Sequence, residues 1–313
     1  MSDWIWALII GFVLDLLLGD PSWLYHPVCI IGKYIGWMEK KLRRRGGNLR
    51  KSAVFLTAST VLLTMAFVAL ILMLCGLLGR IPLLIAMALL DWMGIAITSM
   101  AKEARGVEKA LGQGVAAGRT QVARIVGRDT QDLSEEEIIK ATVETVSENT
   151  TDGVISPLLY AAIGAPILLW GFKAASTLDS MVGYLDEKYR DIGWSSARLD
   201  DVLNYIPARL TALLMVIASY LIGLDGKNAF RIVRRDHANH KSPNCAWSES
   251  AAAGALHIQL GGTHNYFGQP VEKPTIGDAD RPAERADIRR ANRLLYTSSL
   301  LMMVLLVLIA IAR

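Results

Sequence analysis

The sequence predicts an all-α, polytopic helical membrane protein, and composition and patterning carry that prediction. Of 313 residues, 52% are hydrophobic and only 20% are charged, and the mean hydropathy is +0.34. Soluble domains carry roughly 25% charged residues. Apolar runs near the roughly 20 residues that cross a bilayer core recur along the chain. We therefore expect one integral membrane domain over residues 1–313, with a cytoplasmic helical insert and re-entrant or amphipathic segments.

Six segments are candidate membrane spans. They are residues 4–19, 53–78, 81–100, 154–175, 206–224 and 294–312, of which the second and the last are the clearest. No basic region precedes the first segment, and no small-residue cleavage site follows it. We therefore expect this segment to stay as an anchor rather than to be removed as a signal peptide.

Charge asymmetry orients these spans. The loop after the first segment holds eight basic residues between Lys33 and Lys51, and the positive-inside rule places such a loop in the cytoplasm. Two spans later, residues 101–153 return to the same side. They predict a helical insert, in which Ser134 and Glu137 have the spacing of a capping box.

The fourth candidate span leaves the number of crossings open. Residues 154–175 contain Pro157 and a Gly-Ala-Pro break at 164–166, which is also typical of two half-helices that enter and leave on one side. A single crossing would put residues 176–205 outside the cell by strict alternation, whereas a re-entrant pair would keep them in the cytoplasm.

Composition and motifs exclude several classes of function. The net charge of +4, from 33 basic and 29 acidic residues, does not favour nucleic acid as a partner. Cys29, Cys75 and Cys245 are far apart and lack CxxC spacing, so neither a disulfide framework nor a structural zinc site is predicted. The sequence contains no GxxxxGK[ST] motif, so any ATP site must be unconventional.

Three acidic residues recur every four positions before an apolar segment. Glu144, Glu148 and Asp152 would stack on one helical face, with Asn149 beside them. Packed like charges cost energy unless a cation compensates them, and magnesium prefers hard oxygen ligands. The pattern indicates a magnesium or amine site, and a solvated acidic helix face is the alternative that the spacing alone leaves open.

A second polar cluster lies between the interrupted span and the fifth span. It includes Asp179, Arg198 and Asp200. Arginine offers a planar fork of donors to phosphate and carboxylate groups, so the cluster indicates an anion groove. Interfacial ion pairs with snorkelling arginines are the alternative interpretation.

A third, basic cluster precedes a small-residue helix predicted over residues 245–260. Its members are Arg234, Arg235, His237, Lys241 and Asn244. A basic run next to a helix start suits anion capture by side chains and free backbone amides together.

A membrane transporter is the alternative function. Asp15 and Asp91 lie inside candidate spans, where a central carboxylate costs about 2.5–3.5 kcal/mol, and interrupted spans are typical of transporter binding sites. Most of the polar residues lie instead at span ends and in loops, which favours a catalytic site at the membrane face.

Several separated motifs together resemble one known family. They are DLLLGDP at 15–21, HPV at 26–28, ETVSENTTDGVISP at 144–157, TLDSMVGY at 177–184, ARLDD at 197–201, SPN at 242–244, AGAL at 253–256 and QLGG at 259–262. In this order they resemble the membrane-bound adenosylcobinamide-phosphate synthases of cobalamin (vitamin B12) biosynthesis, the CbiB/CobD family. The resemblance covers nearly the whole chain.

The resemblance implies an ATP-dependent ligase that forms an amide. The substrates would be adenosylcobyric acid, through the propionate carboxylate on ring D, and (R)-1-aminopropan-2-ol or its O-phosphate, with Mg²⁺ and ATP activating the acid. The enzyme would lie in the inner cell membrane among lipids with its active site on the cytoplasmic side, where ATP is found. Small-residue faces would permit a homodimer or contacts with other enzymes of the pathway.

The resemblance also assigns roles to the clustered residues. Glu144, Glu148 and Asp179 are the expected catalytic residues, with Glu148 as the base that deprotonates the amine. Asp152 and Asp200 are the expected metal ligands, and Asp179 would complete metal binding. The residues expected to bind substrate or phosphate are Asn149, Arg198, Arg234, Arg235, His237, Lys241 and Asn244.

Overall fold

The computed structural model describes residues 3–21, 23–184, 187–266 and 268–312. The helices are α1 (Asp3–Leu18), α2 (Pro27–Arg45), α3 (Leu49–Leu77), α4 (Arg80–Gly94), α5 (Ile97–Leu111), α6 (Val115–Val122), α7 (Glu135–Thr150), α8 (Ser156–Val182), α9 (Trp194–Leu203), α10 (Tyr205–Leu221), α11 (Gly226–Asp236), α12 (Cys245–Leu256) and α13 (Arg285–Ala312). A π-helix, Thr151–Ile155, joins α7 to α8. Strands β1 (Leu260–Tyr266) and β2 (Gln269–Ile276) form an antiparallel hairpin. The predicted all-α class is confirmed.

Four helical stretches in the described part of the chain are long and apolar enough to cross a membrane. They are Leu49–Leu77, Arg80–Leu111, Glu135–Val182 and Arg285–Ala312, and the bent pair α9 and α10 would make a fifth. These stretches overlap five of the six predicted segments and cover most of each. The sixth, residues 4–19, forms α1, whose 16 residues span about 24 Å and so fall short of a hydrocarbon core of roughly 30 Å. The polytopic helical membrane protein is therefore confirmed with four or five such stretches.

The chain divides into two compact units, whereas its sequence predicts a single domain. The first unit comprises residues 1–96, 156–204 and 305–313, and the second comprises residues 97–155 and 205–304.

Helices α1, α2, α3, α4, α8 and α9 form the first unit. Gly11 on α1 lies so close to α4 that an added Cβ would be 2.8 Å from the Cβ of Asp91, so glycine permits this approach. The indole Nε1 of Trp170 on α8 donates to the carbonyl oxygen of Leu90 at 3.0 Å. The sequence break in the fourth candidate span is present as a kink, because Ala165 has φ of +53° before Pro166. Large apolar side chains of α3 remain exposed, as expected of a lipid-facing helix.

The second unit positions most of the predicted site residues. Helix α7 begins with the capping box that Ser134 and Glu137 predict. Helix α12 is built of small, buried residues, and it packs against α11 so closely that a Cβ on Gly254 would lie 2.7 Å from the Cα of Ala229. The predicted helix over 245–260 ends earlier, at Leu256, and strand β1 follows.

Candidate active site

Glu144 belongs to a buried ion pair in the second unit. Arg128, only 9% exposed, donates from Nη2 to Oε2 of Glu144. The backbone N–H of Gly261 donates to Oε1 at 2.8 Å, and Gly261 has φ of +77°, in the left-handed region that favours glycine. Both carboxylate oxygens therefore accept from protein donors, one in the loop before α7 and one on strand β1.

Glu148 lies one helical turn beyond Glu144 and is half-buried. The thiol of Cys245, at the start of α12, donates to Oε1 of Glu148 at 3.3 Å. Burial, and then the negative charge of Glu148, raise the pKa of this thiol well above its usual range, so it keeps its proton. Asn149, the next residue, donates to the carbonyl oxygen of Thr145 at 2.9 Å.

Asp152 lies in the π-helix that follows α7. A π-helix closes its hydrogen bonds over five residues instead of four. The α-helical spacing that predicts a stack of three carboxylates therefore does not extend to Asp152. Asp152 is nevertheless close enough to Cys245 to contribute to the raised pKa of the thiol. Short π segments are frequent at functional sites.

Glu249 is a fourth carboxylate near Glu144, Glu148 and Asp152, and it is not among the site residues that the sequence predicts. It lies on α12 and is only 6% exposed. Burial raises its pKa well above the usual range, and the negative charges of Glu144 and Glu148 raise it further. The positive charges of Lys273 and Arg128 oppose this shift. The side chain of Glu249 therefore holds its proton more tightly than an exposed glutamate does.

Besides Arg128, two further basic side chains, those of Lys273 and His240, lie near the carboxylates. Lys273, on strand β2, influences the pKa of both Glu249 and His240. Burial, followed by the charge of Lys273, lowers the pKa of His240. The Nδ1 atom of His240 accepts a hydrogen bond from the backbone N–H of Ser242 at 3.0 Å, as expected of a neutral imidazole. We call Glu144, Glu148, Asp152, Glu249, Arg128 and Lys273 the carboxylate cluster.

The arginines of α11 differ in their ion pairs. Arg235 donates to both oxygens of Asp236, at 2.7 and 2.8 Å, and to Asp278 at 2.6 Å. Arg231 also donates to Asp278. These bonds lower the pKa of Asp278. Within the described residues, Arg234 forms no ion pair. A cavity of about 620 Å³ lies along this helix.

The remaining members of the predicted basic cluster have separate environments. The ring of His237 lies 4.3 Å from that of Trp247, and its Nδ1 lies 2.9 Å from the carbonyl oxygen of Val233. Asn244 is buried and its Oδ1 accepts a 3.4 Å bond from Arg209. Lys241 is exposed. These three residues do not line the cavity along α11.

Asp179, Arg198 and Asp200 belong to the first unit, so the twelve predicted site residues divide between the units. Asp179 lies on α8, whereas the other two lie on α9. Arg198 is exposed and lies 4.0 Å from Asp201, a geometry worth about 1 kcal/mol at most. The Oδ2 atom of Asp200 accepts a 3.0 Å bond from Asn204. Arg198 and Asp200 thus have partners on α9 and at its C-terminal cap. Such local contacts are what the alternative interpretation, interfacial ion pairs, expects.

Comparison with known proteins identifies the family. The model of the CobD/Cbib protein family matches residues 8–295. The chain belongs to the CobD/Cbib family. It is 48% identical to the cobalamin biosynthesis protein CobD of Listeria monocytogenes serotype 4b over 292 residues, 92% of this chain and 93% of the relative. It is also 44% identical to the cobalamin biosynthesis protein CbiB of Salmonella arizonae over 310 residues, 96% of each chain. No solved structure matches it significantly.

The CobD/Cbib chain does not form a ready-made metal cage in the part that the structure describes, where no three His, Cys, Asp or Glu side chains are grouped to hold an ion. The Glu144 carboxylate is already paired with the Arg128 cation and accepts from the Gly261 N–H, so an added metal ion would compete with a positive charge beside it. Asp152 and Asp200 lie in different units. Magnesium usually binds through one or two carboxylates plus substrate phosphates. Glu148 and Asp152 fit that more limited role.

The geometry of this family member adds Arg128, Glu249 and Lys273 to the residues that the sequence predicts. Glu249 carries a sequence signal, since a lone carboxylate within a run of Ser, Ala and Gly requires a partner when that helix is buried. Arg128 and Lys273 carry none, because they approach Glu144 and Glu249 only through the fold.

Proposed function

We propose that this CobD/Cbib protein is a cobalamin biosynthesis enzyme that joins adenosylcobyric acid to (R)-1-aminopropan-2-ol or its O-phosphate through an amide bond. The names of the relatives, cobalamin biosynthesis proteins CobD and CbiB, support the pathway. The carboxylate cluster supports an amine substrate, because Glu144, Glu148, Asp152 and Glu249 lie near one another in the second unit and an ammonium group would offset their negative charge. No observation favours the transporter alternative.

The proposed chemistry has two steps. The corrinoid carboxylate first takes the γ-phosphoryl group of ATP, which gives an acyl phosphate and ADP. The neutral amine then attacks the acyl carbon, the amide C–N bond forms, and phosphate leaves. Both steps are needed because a free carboxylate is a poor electrophile and an ammonium group is a poor nucleophile. Magnesium bound to the phosphates supplies charge neutralisation during phosphoryl transfer.

Glu148 is the residue best suited to hold the ammonium group and remove its proton. It is half-buried and accepts a hydrogen bond from the thiol of Cys245, a weak donor. Glu144 instead fits a positioning residue, because Arg128 and Gly261 fix both of its oxygens. The raised pKa of Glu249 favours its neutral form, and a neutral carboxyl group can donate a hydrogen bond.

The remaining parts of the proposal concern phosphate binding, metal binding and the location of the enzyme. Arg234, Arg235 and Lys241 would hold phosphate groups, and Asn149 would contact the amine. The proposed contributions of Asp179, Arg198 and Asp200 to metal and substrate binding concern the first unit. We propose an inner-membrane enzyme, surrounded by lipid and with a cytoplasmic active site, that acts as a homodimer or beside other enzymes of the pathway.

The carboxylate cluster carries the proposal, and a reconstituted assay tests it. Detergent-purified protein is incubated with adenosylcobyric acid, either amine, Mg²⁺ and ATP, and corrinoid mass and phosphate release are followed together. We expect an amide product that disappears when ATP or Mg²⁺ is left out. Product formed without ATP would contradict the ligase mechanism, and absence of corrinoid binding would contradict the function.

A labelling experiment tests the cytoplasmic placement separately. Ser195 is replaced by cysteine in a chain whose three native cysteines are changed to serine, and intact cells are treated with a membrane-impermeant thiol reagent. We expect labelling only after the cells are opened. Labelling in intact cells would place this segment outside.

A further inference from the structure

Helix α11 presents a basic and aromatic face to the cavity of about 620 Å³. Lys227, Phe230, Arg231 and Arg234 are spaced at i, i+3, i+4 and i+7, so they share one side of the helix. The hydrophobic positions of the helix other than Phe230 are buried. The exposed side of α11 therefore does not pack into the hydrophobic core.

The charges along this cavity are unevenly matched. Four cations and one carboxylate, Asp225, line it. Asp278 pairs with both Arg231 and Arg235, and Asp236 also pairs with Arg235. The backbone N–H of Asn228 and the ring of His257 contact Asp225. Lys227 and Arg234 have no ionic partner among the residues that the structure describes. The cavity therefore has an excess of positive charge, which favours an anion.

Part of the cavity wall is held in place by hydrogen bonds. Arg231 donates from Nε to Oδ1 of Asn228 at 2.8 Å and from Nη2 to Asp278. Asn228 in turn donates to the carbonyl oxygen of Gly254 on α12 at 2.8 Å. Fixing a guanidinium before a ligand arrives reduces the entropy that the ligand must overcome.

Phe230 adds an apolar surface to this charged wall. Its side chain is 50% exposed and lines the cavity. An aromatic ring beside cations is the arrangement that stacks a nucleobase while the cations hold phosphates. The volume also lies within the roughly 300–1,000 Å³ of small-molecule sites, and one phosphate group would fill little of it.

We propose that this α11 pocket binds a nucleoside triphosphate, with Lys227, Arg231 and Arg234 holding the polyphosphate and Phe230 stacking on the base. The inference rests on the proposed function for the use of that nucleotide. It supplies a side-chain site for ATP in a chain without a GxxxxGK[ST] motif.

Binding measurements on the full-length protein test this site without any catalysis. Isothermal titration calorimetry in detergent, without corrinoid, compares the separate binding of ATP, pyrophosphate and aminopropanol phosphate. The variant is Lys227→Ala/Arg234→Ala, and the control is Arg105→Ala/Lys109→Ala, which removes two exposed cations from α5 in the same unit. We expect the pocket variant to weaken ATP and pyrophosphate binding about 100-fold, roughly tenfold for each cation, and the control to change neither.

Phe230→Ala separates the base from the phosphates. We expect about tenfold weaker ATP binding with unchanged pyrophosphate binding. Unchanged ATP affinity in the double variant, or an equal loss in the control, would overturn the proposal. Loss of aminopropanol phosphate alone would assign the pocket to the amine substrate instead and would also overturn it.

A lipid headgroup offers the same phosphate chemistry, so a second arm uses nanodiscs of phosphatidylglycerol or phosphatidylcholine. Full ATP affinity in both supports the proposal, whereas loss of ATP binding in phosphatidylglycerol assigns the pocket to lipid. Because no corrinoid is present, failure of amide synthesis and failure of this site are separate results.

Discussion

The backbone N–H of Gly261 donates a 2.8 Å hydrogen bond to the side chain of Glu144. The contact joins the first strand of the hairpin to α7, and Arg128 occupies the other oxygen of the same carboxylate. The hairpin brings Lys273 to the carboxylate cluster from its second strand. The geometry of the cluster therefore depends on a residue whose own oxygens are fully engaged.

Removing Arg128 should destabilise the protein strongly. Arg128→Ala leaves Glu144 buried without its cation, and breaking one side of a buried pair costs about 3–5 kcal/mol. The free energy of unfolding, measured by denaturant titration in micelles, should fall by that amount. The matched control is Arg124→Ala, whose ion pair with Glu103 is exposed and contributes about 1 kcal/mol at most. Equal losses in the two variants would refute a special role for the buried pair.

Glu148→Gln should remove catalysis and keep binding. Glutamine has the shape of glutamate and still accepts from the Cys245 thiol, but it cannot take a proton from the amine. Since a positioned general base contributes about 10²- to 10⁴-fold, kcat for amide formation should fall within that range while corrinoid affinity is unchanged. Glu103→Gln, on α5 outside the cluster, is the control. Turnover close to wild type would eliminate Glu148 from the mechanism.

Glu249 should make stability depend on pH. Because its pKa is raised in the folded protein, the folded state holds this proton more tightly than the unfolded chain does. Its contribution to stability is complete below the ordinary glutamate pKa and is lost as pH rises towards the folded value, by up to about 1.4 kcal/mol per pH unit.

Glu249→Gln tests this dependence, because glutamine stays neutral at every pH. The free energy of unfolding of the variant relative to wild type should increase as pH rises above the ordinary glutamate pKa. A pH-independent difference would show that Glu249 is ionised in the folded protein. Glu103→Gln should show no comparable trend.

Gly254→Ala should disturb both the fold and the α11 pocket. The added Cβ would lie 2.7 Å from the Cα of Ala229 and 2.8 Å from the carbonyl oxygen of Asn228, so α11 must move. Overpacking of this kind costs about 1–3 kcal/mol, and ATP affinity should fall with it. Gly36→Ala on α2 is the control, because no atom lies within 4 Å of its added Cβ. Tolerance of both changes would contradict the close packing of α11 on α12.

Hydrophobic patterning predicts the helical membrane class because a bilayer demands long apolar helices whatever their tertiary contacts. It also identifies the break near Ala165, since proline removes a backbone donor. At α1 the apolar run forms a helix of 16 residues, which is shorter than a full crossing length. Hydrophobic patterning does not indicate the hairpin, whose strands contain four glycines and prolines within short segments and so lack a strong strand signal.

The sequence likewise predicts only part of the candidate site. The i, i+4 spacing correctly indicates that Glu144 and Glu148 lie one turn apart, but it cannot reveal that α7 changes to a π-helix at Thr151. Nor can spacing distinguish a carboxylate held by Arg128 from one open to substrate, because that partner comes from a separate loop. Local periodicity predicts which residues share a helix face, but only the tertiary structure shows which residues that face contacts.

The interleaved segments of the two units constrain how the protein is made. The first unit needs residues 305–313 and the second needs residues up to 304, so neither unit has all of its segments until nearly the whole sequence has left the ribosome. Domains ordinarily fold as units during synthesis, the N-terminal one first. A chain that stops before α13 would therefore leave both units incomplete.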